Sequence, residues 1–193
     1  MLLTTSRLRL EPLQLAHSIC LLSYYQRCAE HLRPWEPARP PSYFTPPVFD
    51  ANVAAWVRVA QAGGAARWLI FEPTQPSICI GTANLSGIVG APFQACTLGY
   101  GLDAAVQGKG YMREALQAVV AHAFDANGPL RMHRIMANHL PQNLRSAKTL
   151  AALGFEREGY AKNYLQIAGR WQDHVLTALT NASMPPDGCE QNG

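Results

Sequence analysis

The chain has 193 residues, of which 48% are hydrophobic and 15% charged, with a formal net charge of +3 and a pI near 8.7. That balance excludes a disordered polymer and fits one globular domain, long enough to bury a full core. No apolar run approaches the roughly 18 residues of a membrane span, and the mild basicity suits an acidic cofactor or a ribosomal setting without arguing for DNA binding.

Met1 to Arg7 lacks the basic start and apolar block of a signal peptide. Cys20, Cys28, Cys79, Cys96 and Cys189 form no Cys-x-x-Cys and read as reduced thiols of a cytoplasmic protein. The histidines are scattered without ligand spacing, so no metal site is expected.

In chain order, Leu8 to Leu13 alternates like a short strand that proline ends, and His17 to Ala29 reads as a helix. His31 to Pro47 holds six prolines with Trp35, Tyr43 and Phe44, too dense in proline for a helix or central strand, and is expected to be a long functional loop. Asp50 is placed as the cap of a helix that runs to Gln61 with Val53, Trp56, Val57 and Ala60 on one face, closed by Gly63-Gly64. Strands are expected at Trp68 to Phe71, Ile78 to Leu85 and Cys96 to Leu102.

A helix follows with the stripe Ala115, Leu116, Val119, Val120, Ala123 and Phe124. Next come a strand at Arg134 to Asn138 and a helix from Asn143 to Leu153, stopped by Gly154. Strands at Glu156 to Leu165 and Trp171 to Leu179, joined by a turn at Ala168-Gly169, complete a mixed α+β domain spanning 1–182. The polar segment 183–193, with Pro185-Pro186, reads as a flexible tail.

Gln107-Gly108-Lys109-Gly110-Tyr111-Met112 lies between the third of those strands and the striped helix. Such a loop bares successive backbone N–H groups at a helix N-terminus and suits phosphate. A dinucleotide turn would need a third glycine where Arg113 stands, and a P-loop would need a hydroxyl where Gly110 stands. The remaining pattern, Gln/Arg-x-x-Gly-x-Gly/Ala, resembles the pyrophosphate loop of the GCN5-related N-acetyltransferases, with Met112 bulkier than the usual final residue.

The second half strengthens the resemblance. Asn143-Leu144-Arg145-Ser146 followed by Gly154-Phe155 and Glu158-Gly159 is similar to that superfamily's second signature. His133 to Asn138, Gly159 to Leu165, Trp171 to Leu176 and Leu32 to Pro37 resemble the ribosomal-protein-alanine N-acetyltransferases of the RimJ type, so the likeness runs from about Leu8 to Leu179.

The resemblance implies a GNAT acyltransferase fold, with a mostly antiparallel sheet splayed around acetyl-coenzyme A and flanked by helices. It implies transfer of acetyl to the α-amine of an alanine-starting ribosomal protein, free or within a ribosomal subunit or its precursor, with no membrane partner. The alternatives are acetylation of a small amine or another N-terminus, or ribosome assembly without catalysis.

For the cofactor it implicates Tyr100, Gly101 and Leu102 on the splayed strand and Gln107, Gly108, Lys109, Gly110, Tyr111, Met112 and Arg113 at the loop. Asn143 would bond the pantetheine arm, and Ser146 would lie near the sulfur and protonate the leaving thiolate. Trp35 and Glu36 are expected to shape the acceptor site. The family's general-base positions hold Asn138, Leu150 and Tyr164 here, and only Tyr164 of these can relay a proton, beside His139 and Glu36 as further candidates. No nucleophile triad is visible, so attack would be direct.

Overall fold

The structure, a computed structural model, describes residues 1–184. Most of the expected tail, and Cys189, lie outside the described residues. The strands are β1 (Leu3–Thr4), β2 (Arg9–Pro12), β3 (Ala65–Phe71), β4 (Gly81–Val89), β5 (Ala95–Leu102), β6 (Arg134–Met136), β7 (Glu156–Ile167) and β8 (Arg170–Thr180). The helices are α1 (Ser18–Arg27), α2 (Ala29–Leu32), α3 (Pro46–Gln61), α4 (Tyr111–Phe124) and α5 (Leu144–Ala152). The strands form one sheet in the order β1-β2-β3-β4-β5-β6-β8-β7. Every pairing is antiparallel except β5 with β6.

Strand alternation sends side chains to two apolar layers. On one face Leu8, Trp68, Ile70, Ala83, Leu85, Cys96 and Leu98 pack with Met112, Ala115, Leu116 and Val119 of α4 and Leu150 of α5. On the other, Leu69 and Phe71 meet Leu21, Leu22 and Tyr24 of α1 and Phe49 and Val53 of α3.

Three expectations need correction. The helix assigned to Asp50 starts at Pro46 after Thr45, because its first turn needs no N–H donor and proline's fixed φ suits it. Asp50 instead accepts a hydrogen bond from the Ser18 hydroxyl. The proline-rich loop takes in the end of α2, a 3-10 turn at Pro41–Phe44 and the start of α3. Ile78 donates its N–H to Gln75 in a turn, so β4 begins later, at Gly81. The hairpin at Ala168-Gly169 stands as expected, with φ of 50° and 77°, matching a primed turn.

The decisive feature is where β5 and β6 part. They pair only from Ala95–Arg134 to Thr97–Met136. Beyond that, β5 stays on β4 as far as Leu102, with the Asp103 N–H donating to Ile80 at 2.8 Å. The chain after β6 stays on β8, through Ala137 N–H to Thr177 at 2.9 Å and His139 N–H to Val175 at 3.1 Å. A wedge opens between the two arms.

Candidate active site

The edge of β5 that faces the wedge follows from strand alternation. Asp103 donates toward β4, whereas the Gln94 carbonyl accepts from His133 and Arg134 on the β6 side. The main-chain groups of Leu98, Tyr100 and Leu102 therefore face the wedge, where no strand among the described residues pairs with them. The Leu102 carbonyl is met there by the Gln107 side-chain amide at 3.4 Å.

Below the wedge, Gly108 and Gly110 adopt φ of 78° and 79°, conformations open to glycine at little cost. Gly110 caps α4. No backbone N–H from Gly108 to Arg113 has an acceptor among the described residues, which leaves a continuous donor row at the helix N-terminus. Lys109 and Arg113 are exposed beside it, and Arg145 donates to the Gln107 side-chain oxygen at 2.6 Å. Met112 turns inward and is buried under α4, so its bulk does not crowd the loop. Tyr111 donates to Glu72 at 2.5 Å, and its ring carries Arg7 at 4.8 Å and Lys109 at 5.8 Å.

The loop is braced by the chain's first residues. Arg7 donates to the Lys109 carbonyl at 2.9 Å and pairs with Glu114 at 2.6 Å. Glu114 also accepts from the Thr5 hydroxyl at 2.6 Å and the Ser6 hydroxyl at 3.1 Å. Burial works against its charge, but these donors outweigh it and hold the carboxyl at about 2.

On the far arm, Asn143 caps α5 by accepting the Ser146 N–H at 3.1 Å. That turns Ser146 toward β5, and Tyr100 reaches across the wedge so that the two hydroxyls lie 2.7 Å apart. Burial pushes the Tyr100 phenol up to about 12, with the Ser146 contact pulling the other way, so it keeps its proton at neutral pH.

Tyr164 does not join that pair. A bulge in β7 near Asn163 (φ 50°), clamped by Asp173 through the Asn163 N–H at 2.9 Å, turns Tyr164 outward at 41% exposure. There its hydroxyl accepts from Asn138 at 3.1 Å. His139, the further relay candidate, is buried, with Nδ1 2.9 Å from the Leu140 carbonyl oxygen. Leu150 is a core residue at 1% exposure.

Trp35 and Glu36 follow α2 on the opposite side of the sheet from α4, and the Glu36 carbonyl accepts from Ala168 of the β7–β8 turn at 2.9 Å. Arg27 of α1 pairs with Asp103 at 2.7 Å and donates to the Cys79 carbonyl, tying that side to the end of β5. Burial opposes the Asp103 charge, yet the Ala105 N–H and Arg27 keep it below the usual carboxylate range. Gly99 and Gly101 share this face. Gly99 has open space over it, and a Cβ on Gly101 would stand 2.9 Å from the buried Tyr24 hydroxyl, which has no hydrogen-bond partner among the described residues. Sequence reasoning passed over Tyr24, Gln107 as a bridge, and Tyr100 as the partner of Ser146. Gly99-x-Gly101, two small residues on one strand face, was the available signal.

An open strand edge above a bare donor row suits a cofactor with a pyrophosphate and an amide-bearing arm. Residues 7–156 match the family model of the Acetyltransferase (GNAT) domain.

The chain belongs to the GNAT acetyltransferases.

This GNAT enzyme uses acetyl-coenzyme A as its acetyl donor. It is 42% identical over 184 residues to the [Ribosomal protein uS5]-alanine N-acetyltransferase of Escherichia coli K12, covering 95% of this chain and 93% of that protein. The ribosomal-protein-S5-alanine acetyltransferase of Vibrio fischeri superposes with a TM-score of 0.88 at 35% identity, covering 96% of this chain and all of that one (100%). Mycobacterium smegmatis RimJ, solved with CoA-disulfide, gives 0.83 at 25% identity, with 92% and 84% covered. Among the described residues no helix is long and apolar enough to cross a membrane, and no cluster of three His, Cys, Asp or Glu could hold a metal.

Proposed function

We propose that this enzyme acetylates the α-amine of an alanine-starting ribosomal protein, in the cytoplasm, on the free protein or on a ribosomal subunit precursor. The observation that carries this reading is the open space over Gly99 on the α1–α3 face of β5, which leaves an extended chain room beside the wedge. The full-length similarity to enzymes named for ribosomal-protein alanine acetylation supports it.

Acetyl-coenzyme A supplies the acetyl group as an activated thioester. The backbone of Gly108 to Arg113, with Lys109, Arg113 and Arg145, holds its pyrophosphate. The unpaired edge at Tyr100 to Leu102, with Asn143, aligns the pantetheine arm. Wedge-facing main-chain donors of that edge polarise the reacting carbonyl.

The acceptor amine attacks directly. An α-amine has a pKa near 8, so roughly a tenth is neutral at pH 7, against well under a thousandth for lysine. A strong base is therefore dispensable for an N-terminus, which fits a chain holding Asn138 and Leu150 at the family's base positions. Tyr164, with its hydroxyl oxygen held by Asn138, orders the water that takes the amine's proton. Tyr100 donates to the Ser146 oxygen, so that Ser146 presents its own hydrogen to the departing sulfur. The proton lost by the amine balances the one gained by the thiolate. Trp35 and Glu36 bound the acceptor's path.

Mass spectrometry of alanine-starting ribosomal N-terminal peptides incubated with enzyme and acetyl-coenzyme A, beside a lysine-only peptide and spermidine, tests the reading. Acetyl confined to the alanine amine is expected. Transfer confined to spermidine would overturn it.

A further inference from the structure

On the same face as the acceptor floor lies a recess of about 120 Å³ lined by Tyr25, Glu36, Arg39, Tyr43, Trp56 and Arg67. A single water needs on the order of 10–15 Å³, so the recess has room for a small polar side chain. Its charges are unusual. Arg67 is half-buried, its Nε is buried without a hydrogen-bond partner, and no carboxylate lies within ion-pair distance among the described residues. Its guanidinium stacks on Trp56 at 5.1 Å, and Arg39 stacks on Tyr43 at 4.7 Å. Glu36 supplies one negative charge against these two positive ones.

A half-buried guanidinium without a counter-ion is costly unless something completes it. The fixed fork of donors on an arginine matches a carboxylate. Burial also lowers the Arg67 pKa, the direction expected where no anion stabilises the charge.

The recess stands in line with the wedge. Arg67 is the cross-strand neighbour of Asn84, and Asn84 of Gly99, so the three form one row on the acceptor face. Two inter-strand steps make roughly 10 Å, about three residues of extended chain.

Building on the N-terminal reading above, we propose that the Arg67–Arg39 recess binds an acidic side chain of the acceptor at roughly its third to fifth residue. The enzyme thereby selects acceptors by a carboxylate some distance from the amine it acetylates.

The test uses alanine-starting peptides identical except for Glu, Gln or Lys at the third, fourth or fifth position. Initial rates on the wild-type enzyme are compared with those on Arg67→Gln and Arg39→Gln. At one register the Glu peptide should show a KM about tenfold below its Gln twin, with Lys the poorest. That advantage should vanish in Arg67→Gln and shrink in Arg39→Gln and with added salt, while turnover of the Gln peptide stays within about twofold, which also reports that the variants fold. Equal KM values for Glu, Gln and Lys at every register would overturn the proposal, as would a preference for Lys, which would make Glu36 the recognising group. Failure of the underlying reading looks different: no alanine peptide is acetylated at all. In that event, binding of the N-acetylated Glu peptide by fluorescence anisotropy still decides the matter. Loss of that binding in Arg67→Gln supports the recess, and binding equal to the Gln twin overturns it.

Discussion

The Tyr100 and Ser146 hydroxyls lie 2.7 Å apart although the residues stand 46 positions apart in the chain. Tyr100 comes from the arm of the wedge that stays with β4, and Ser146 from the helix that follows the other arm. The pair spans the opening where β5 and β6 part, and it gives Ser146 a fixed direction.

Ser146→Ala should lower kcat on the order of 10²-fold, because the departing sulfur loses its proton donor. Tyr100→Phe should lower kcat less, by about tenfold, since Ser146 remains but loses its orienting partner. KM for acetyl-coenzyme A should move less than kcat in both, and steady-state kinetics separates the two. An unchanged kcat in Ser146→Ala would remove that residue from the proton path.

Gly108→Ala probes the loop alone. The site has open space for a Cβ but a φ of 78°, so the protein should fold with a penalty of about 1 kcal/mol from the left-handed backbone. The methyl group and the relaxed loop should raise KM for acetyl-coenzyme A about tenfold with little change in KM for peptide. Isothermal calorimetry with coenzyme A checks the affinity directly.

Tyr164→Phe should lower kcat/KM for peptide by about three- to tenfold and leave the acetyl-coenzyme A KM unchanged. Tyr164 is exposed, and in the proposed path its hydroxyl acts through water, so its expected contribution is smaller than that of Ser146. The loss should deepen as pH falls below the amine's pKa near 8, because less neutral amine remains. A pH–rate profile from 6 to 9 measures this.

Glu114 should make stability depend on acid. Its folded pKa is held at about 2, against roughly 4.3 in an unfolded chain, so the native state binds its proton less readily. The stabilisation is present above that unfolded value and is lost as pH falls toward the folded one. Urea midpoints between pH 6 and 2.5 should therefore show Glu114→Gln less stable than wild type at pH 6, with the two curves converging toward the acid end.

Parts of this were legible in the sequence because they are local. The α4 stripe, the loop glycines, the Asn143 cap and the Gly154 stop each depend on residues within a turn or two, where spacing and backbone preference suffice. Pro46 and Pro47 misled because proline reads as a breaker although it is welcome in a first helical turn. The wedge was legible only through family resemblance, since it arises from two strands choosing different neighbours. The bulge that turns Tyr164 outward depends on Asp173 across the hairpin. The Arg67 recess gathers side chains from α1, the proline-rich loop, α3 and β3, and no spacing rule joins them.

Gln107 carries one amide, yet it touches three elements: His31 of α2 at 2.7 Å, the Leu102 carbonyl of β5 at 3.4 Å, and Arg145 of α5 at 2.6 Å. In the proposed reading, the loop that faces the donor and α2, which leads into Trp35 and Glu36 on the acceptor's path, are thus parts of one mechanical joint. There, a donor that stills the joint also stills that path. The energetic exchange runs equally both ways, so whatever factor acetyl-coenzyme A adds to the acceptor's affinity, the acceptor must return to acetyl-coenzyme A.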